Sequence, residues 1–234
     1  MKKMLASAAF ALFAATACVS VEVNEAAEAP PAPQTVAFNG LGVLAPPPAA
    51  GSPQQAGDAA TARGPWSAER IAMAAADDAV DPWKAFSSVM GPDFNAANYP
   101  ATKRVFDQIM AVAGPAIGAT KAQWSRPRPF VANPAQPTCI TPSDGLRASG
   151  AYPSGHSALG WAWALALAEI APERADALLH RGHEYGESRI VCGVHWASDV
   201  SAGRALGAAA IARMHGDQGT RALFDAARVE IASK

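Results

Sequence analysis

The sequence of 234 residues is poor in aromatic residues, at 7%, in charged residues, at 17%, and in cysteine, of which there are three. Lys and Arg number 19 against 20 Asp and Glu, a balance that excludes an extended basic surface for nucleic acid. Half the residues are hydrophobic, yet the apolar runs are dominated by alanine rather than aromatics, which favours closely packed helices over a β-sandwich. Such a chain can bury a core, so wholesale disorder is excluded too. Also missing is any later stretch of the ~20 apolar residues that a membrane-spanning helix needs.

Lys2 and Lys3 precede the apolar stretch Met4 to Ala14, which Ala15-Thr16-Ala17 follows. This is the pattern of a secretory signal, so residues 1–17 are expected to be removed on export. Without Lys2 and Lys3, 17 basic residues face 20 acidic ones, a net charge of −3, and any cationic site must be local. Cleavage after Ala17 would leave Cys18 first, in a pattern resembling the lipobox of bacterial lipoproteins, although Ala15 stands where a larger aliphatic residue is usual. Cys18 is therefore a candidate lipid anchor; the alternative is ordinary cleavage with Cys18 incidental. Cys139 and Cys192 then remain as an even pair in an exported protein, which predicts a disulfide between them rather than two buried thiols.

From Ala26 to Pro65 the chain is rich in Pro, Ala and Gly, so residues 18–64 are expected to form an extended tether followed by an irregular arm. Helical signals begin at Ser67, an N-cap before Ala68 to Ala79, and recur at Asp81-Pro82. Val105, Ile109, Val112 and Ala113 share one helical face, and a further helix is expected to start at Pro115 and stop before Pro127 and Pro129. Others are expected from Pro153 to Pro172, onward from Pro172, from Trp196 to His215 and from Gln218 to Ile231, with Gly216 ending the first of the last pair. No run alternates with period two and no internal repeat is present. The expectation is one all-α domain over residues 65–234.

Three clusters carry chemistry. Lys121 and Arg128, seven residues apart beside the rigid Pro127 and Pro129, suit an oxyanion, although solvated surface charges would give the same pattern. Tyr152-Pro-Ser-Gly-His156 stands just before an apolar run, where a helix start offers unpaired N–H groups together with the Ser154 hydroxyl, the Gly155 amide and the His156 imidazole. A cap followed by a buried histidine would look identical. Ser188-Arg189 precedes His195 and Asp199, whose four-residue spacing lets the carboxylate hold one ring nitrogen and free the other as a nucleophile. Taken alone, such a pair is more often a structural hydrogen bond. Arg189 adds a planar fork for phosphate oxygens.

Together the clusters resemble the signature of the type 2 phosphatidic acid phosphatase superfamily, which also includes the vanadium haloperoxidases: Lys-x6-Arg-Pro, Pro-Ser-Gly-His and Ser-Arg-x5-His-x3-Asp. All eleven positions match, in order: Lys121, Arg128, Pro129, Pro153, Ser154, Gly155, His156, Ser188, Arg189, His195 and Asp199. The longer stretches 150–156 and 185–199, with the Pro46-Pro-Pro-Ala-Ala-Gly-Ser52 arm, are similar to the bacterial class A nonspecific acid phosphatases. Ala151 departs from that pattern, where Ser is usual, and the tether is longer; both leave the chemistry intact and the substrate range open.

The resemblance implies an all-α helical bundle, a periplasmic location, a homodimer and cofactor-free hydrolysis of small phosphomonoesters. It assigns His195 as the nucleophile that forms a phosphohistidine, Asp199 as its orienting partner and His156 as general acid, then base. Lys121, Arg128, Ser154, Gly155 and Arg189 would hold the phosphate oxygens. His156, His195 and Asp199 are legitimate metal ligands, but converging cations oppose a metal. Each at ~5 Å costs a unit positive charge roughly 3 kcal/mol at an effective dielectric of 20. Rival functions on the same residues are a vanadate-dependent haloperoxidase, a lipid phosphatase and a non-catalytic phosphate-binding envelope lipoprotein. The bland readings place His180, His183 and His215 on helix surfaces, Trp161 and Trp163 in packing, and Gly203 and Gly207 at a close helix contact.

Overall fold

The computed structural model describes residues 31–34, 37–62 and 64–234. The signal segment and Cys18 lie outside the described residues. Among the described residues ten α-helices follow in order: α1 Pro53–Thr61, α2 Ala68–Ala76, α3 Pro82–Met90, α4 Pro100–Trp124, α5 Pro129–Ala132, α6 Asp144–Ala148, α7 Gly155–Ile170, α8 Ala175–Val191, α9 Ala197–Met214 and α10 Gln218–Ala232. No strand occurs among the described residues, in agreement with the all-α expectation.

Local chemistry explains most helix starts. The Ser67 hydroxyl accepts from the Arg70 amide at 3.2 Å, the Asp81 carboxylate from the amides of Trp83 and Lys84, and Asp217 from that of Thr220 at 2.7 Å. Pro82 occupies the first turn of α3, where its missing N–H costs nothing. Helix α2 stops at Ala76, three residues short of the expectation, where the Asp77 carboxylate turns aside to accept from the Ser188 hydroxyl of α8 at 2.6 Å.

The expected break at Pro115 is absent: α4 runs through it to Trp124. Gly114 precedes it and has no Cβ for the proline ring to strike. Val112, Ala113, Ala116 and Ile117 carry one buried face across the site. A lost backbone hydrogen bond costs about 1 kcal/mol, less than burying that face returns.

Helix α7 is the centre of the bundle, with α8 and α9 packed along it and α4 and α10 beyond. Small residues set that spacing. A Cβ on Gly203 would lie 2.5 Å from the Ser154 carbonyl oxygen, and one on Gly207 2.2 Å from that of Ala158, so α9 approaches α7 backbone to backbone. The few aromatics are not scattered. Trp83 meets Phe106 at 5.0 Å between centroids, Phe106 meets Trp163 at 6.3 Å, Trp163 meets Tyr185 at 6.2 Å, and Tyr185 meets His156 at 6.0 Å. A packed aromatic line therefore reaches from the far core to the candidate site, and Trp163 packs as expected. His180 and His183 are exposed and His215 is half-buried.

The arm differs from an irregular coil. Residues 53–61 form helix α1, capped by Ser52, and Asp58 within it is buried. Further upstream, the Gln34 carbonyl accepts from Gln108 of α4 at 2.8 Å, and the Ala45 carbonyl from the Tyr152 hydroxyl at 2.8 Å. The expected boundary at residue 65 is thus crossed by specific bonds. The Cys139–Cys192 disulfide is present, with the Cys139 amide also donating to the Cys192 carbonyl at 3.1 Å.

Candidate active site

The three clusters converge at the start of α7. Ser154 caps that helix, and its amide donates to the Asp199 carbonyl at 2.9 Å, tying the second cluster to the third. Between α8 and α9 the chain turns at Gly193, whose φ of 73° lies in the left-handed region that glycine favours. That turn brings the amides of Val194 and His195 back onto the Arg189 carbonyl at 3.1 and 3.2 Å. His195 is thereby delivered inward and is 2% exposed.

The hydrogen bonds settle the tautomer of His195. Arg128 Nη1 lies 3.0 Å from Nε2, and a guanidinium can only donate, so Nε2 presents a lone pair. Nδ1 then carries the proton and donates to Asp199 Oδ2 at 3.3 Å. Burial, followed by the charges of Arg128, Lys121, Arg189 and His156, holds the imidazole well below the ordinary histidine range. That shift favours the neutral ring, with its lone pair among cations.

Asp199 is completely buried, and burial raises its carboxyl to about 6 against the opposing pull of Arg126 and the Trp196 amide. That amide donates to Oδ2 at 2.9 Å, so the carboxylate caps α9 while it orients His195.

His156 makes the converse arrangement. Its Nε2 lies 2.9 Å from the Asp78 carbonyl oxygen, which can only accept, so Nε2 carries hydrogen and Nδ1 is left to exchange a proton. Burial and Arg189 lower this ring to about 4.

Three cations complete the cradle. Lys121 Nζ donates to the Gly150 carbonyl at 2.6 Å, and burial with Arg128 nearby pulls it down to about 7. Arg128 donates to the carbonyls of Val194 and Ser149 and to the Ser149 hydroxyl, and burial lowers it to about 10. Arg189 is 1% exposed; Nη2 meets the half-exposed Asp78 carboxylate at 2.8 Å, while Nε and Nη1 are buried without a partner. The Ser154 hydroxyl accepts from the amide and hydroxyl of Ser157, which leaves its own proton to donate. Gly155 lies beside Ile117 and Lys121 of α4. All eight predicted site residues are therefore assembled here.

Ser188 is a motif residue with a different task. Its hydroxyl accepts from Arg70 at 3.0 Å and donates to Asp77, which also pairs with Arg181. This fixes the α2–α3 loop that carries Asp78 to Arg189 and His156. Sequence reasoning missed Asp58, Asp77, Asp78 and Arg126. Arg126 could have drawn attention as the first arginine of Arg126-Pro-Arg128-Pro129; the aspartates gave no local signal. Among the described residues, no three His, Cys, Asp or Glu side chains are grouped to hold a metal ion.

Comparison with known proteins identifies the family. Residues 106–222, which contain every motif, match the model of the PAP2 superfamily. An acid phosphatase of Zymomonas mobilis is 39% identical over 195 residues, covering 80% of this chain and 74% of that protein. A non-specific acid phosphatase of Providencia stuartii is 38% identical over 76% of this chain and 75% of its own length, and one of Salmonella typhimurium 43% identical over 55% and 52%. The chain belongs to the PAP2 superfamily and, within it, to the bacterial class A acid phosphatases.

Proposed function

We propose that this chain is an exported, metal-independent acid phosphatase that hydrolyses phosphomonoesters through a phosphohistidine on His195. The observation that carries this reading is the Nε2 lone pair of a neutral, Asp199-held imidazole beside a guanidinium, with two donors of Arg189 buried and unpaired.

A phosphate ester entering the cradle supplies the oxygens that Arg189 lacks and competes with Nε2 for Arg128. Nε2 attacks phosphorus in line with the departing ester oxygen, and Asp199 stabilises the charge that develops on the ring. Lys121, Arg128, Arg189, the Ser154 hydroxyl and the Gly155 amide hold the equatorial oxygens. The dianion among these cations raises His156 from its resting value, so that Nδ1 takes up a proton and delivers it to the leaving alkoxide. Water then attacks the phosphohistidine, gives its proton to His156, and releases phosphate. Three cations converging on one site disfavour a divalent ion and suit an anion alone. Export is supported by the leader pattern and by the disulfide.

The test is acid quench of the chain with a labelled phosphomonoester, followed by peptide mapping. Label on His195 is expected, and His195→Asn is expected to lose it with at least 1,000-fold of kcat, in the range that loss of a nucleophile shows. Undiminished turnover by folded His195→Asn would eliminate the nucleophile. Turnover that is lost on exhaustive chelation and restored by zinc would eliminate metal independence.

A further inference from the structure

We propose that Arg126 is a positioning residue for phosphoryl transfer at His195, and that Asp58 of α1 holds it in place, so that the arm ahead of the bundle forms part of the catalytic apparatus. The inference rests on the reading of His195 as nucleophile.

Arg126 is 7% exposed and both of its terminal nitrogens are engaged. Nη1 donates to Asp199 Oδ1 at 2.5 Å and to the Ser198 hydroxyl at 2.7 Å; Nη2 donates to Asp58 Oδ2 at 2.7 Å and to Gln55 Oε1 at 2.5 Å. Asp58 closes the ring by accepting from the Ser198 amide at 2.9 Å and from its hydroxyl. The guanidinium lies 5.5 Å from the centre of the Trp196 ring, whose indole N–H is held by the Pro127 carbonyl at 2.9 Å. The two oxygens of Asp199 thus have separate duties: Oδ1 is clamped by Arg126, and Oδ2 faces His195. An orienting carboxylate free to rotate would not keep Nδ1–H of the nucleophile in register.

The arrangement also sets charge. Asp199 faces Arg126 and Arg128 from the α4–α5 connection, Lys121 from α4, Tyr152 ahead of α7, and His195 itself; Asp58 of α1 acts on it through Arg126. Arg189 of α8 acts on His195. Removing Arg126 takes away an opposite charge and raises the Asp199 carboxyl. Neutralising Asp58 frees more of the Arg126 charge for Asp199 and lowers it. The two substitutions therefore drive Asp199 in opposite directions.

The experiment is the pH profile of kcat for p-nitrophenyl phosphate hydrolysis by the full chain and its Arg126→Gln, Arg126→Lys and Asp58→Asn variants. Arg126→Gln is expected to lower kcat about 100-fold with KM changed less than about threefold, and to move the acid limb upward by about one pH unit. Arg126→Lys should move that limb less, and Asp58→Asn should move it downward. If Arg126→Gln does not fold, the other two decide: limbs unshifted, or both shifted upward as a loosened brace would give, overturn the proposal. Phosphohistidine trapping on the unmodified chain separates the two failures. Without label the nucleophile falls; with label and unshifted limbs, Arg126 alone loses its role.

Discussion

Two sets of buried arginines flank the His195–Asp199 pair, and they are solved in opposite ways. Behind Asp199, both terminal nitrogens of Arg126 are paired: two carboxylates, a hydroxyl and an amide oxygen take their donors. In front of His195, Arg128 spends its donors on carbonyls, a hydroxyl and a ring nitrogen, and Arg189 keeps two nitrogens unpaired. Burying a cation is costly unless a counter-charge accompanies it. The rear arginine has two buried carboxylates built in, whereas the front pair has only the half-exposed Asp78 and leaves the rest to the ligand. The rear is architecture and the front is a binding site, although composition and burial are alike in both.

The sharpest way to break this contrast is to remove one arginine from each side. Arg189→Met should lower kcat/KM about 1,000-fold while leaving the urea midpoint of the phosphate-free protein nearly unchanged, because it deletes an under-paired charge and Asp78 is left hydrated. Arg126→Gln should instead cost about 3 kcal/mol of stability, since Asp58 and Asp199 would remain buried without their shared cation. Equal destabilisation by the two changes would dissolve the distinction. Kinetics and urea denaturation with phosphate excluded supply both readouts.

With few carboxylates, the front needs another brace, and the disulfide supplies one. Cys192 lies three residues from both Arg189 and His195, and Cys139 opens the segment that ends at Ser149 and Gly150, the acceptors of Arg128 and Lys121. Replacing both cysteines with serine should lower stability by about 4 kcal/mol in the chain-entropy model, and should raise KM before it lowers kcat. Denaturation of the oxidised and double-variant chains measures the first effect. An unchanged midpoint would mean that backbone bonds alone secure the loop.

The contrast also separates what could be read from the sequence. Capping residues, the apolar face of α4 and the close approach at Gly203 and Gly207 follow from short-range spacing, which is what a sequence displays, whereas the eight cradle residues were legible only through the family resemblance of their three motifs. The clamp follows from neither: Asp58 meets Arg126 across 68 positions, and nothing near Asp58 distinguishes it from a solvated helix residue. Asp78 was hidden similarly, because its backbone carbonyl rather than its side chain holds His156. Pro115 misled for the opposite reason, since a strong local signal was outweighed by a buried face continuous on both sides of it.

The smallest expected effect lies at the boundary of the two regions. His156 is held at about 4 in the empty site, whereas the unfolded chain protonates near 6.5, so folding binds fewer protons between those values. The neutral ring therefore contributes stability that is present above pH 6.5 and lost as pH falls through about 4. Asp199, raised to about 6, works with the opposite sign as pH falls from 6 towards 3.8, and it does so with or without His156. Comparing the chain with His156→Ala hence isolates the histidine. Between pH 7 and 4.5 the unmodified protein should lose on the order of 1–2 kcal/mol more than the variant, measured by guanidinium denaturation without phosphate. Adding phosphate should shrink that difference, because an anion in the cradle favours the protonated ring. Parallel losses in the two proteins would show that burial and the Arg189 charge together do not hold the His156 ring below its ordinary value.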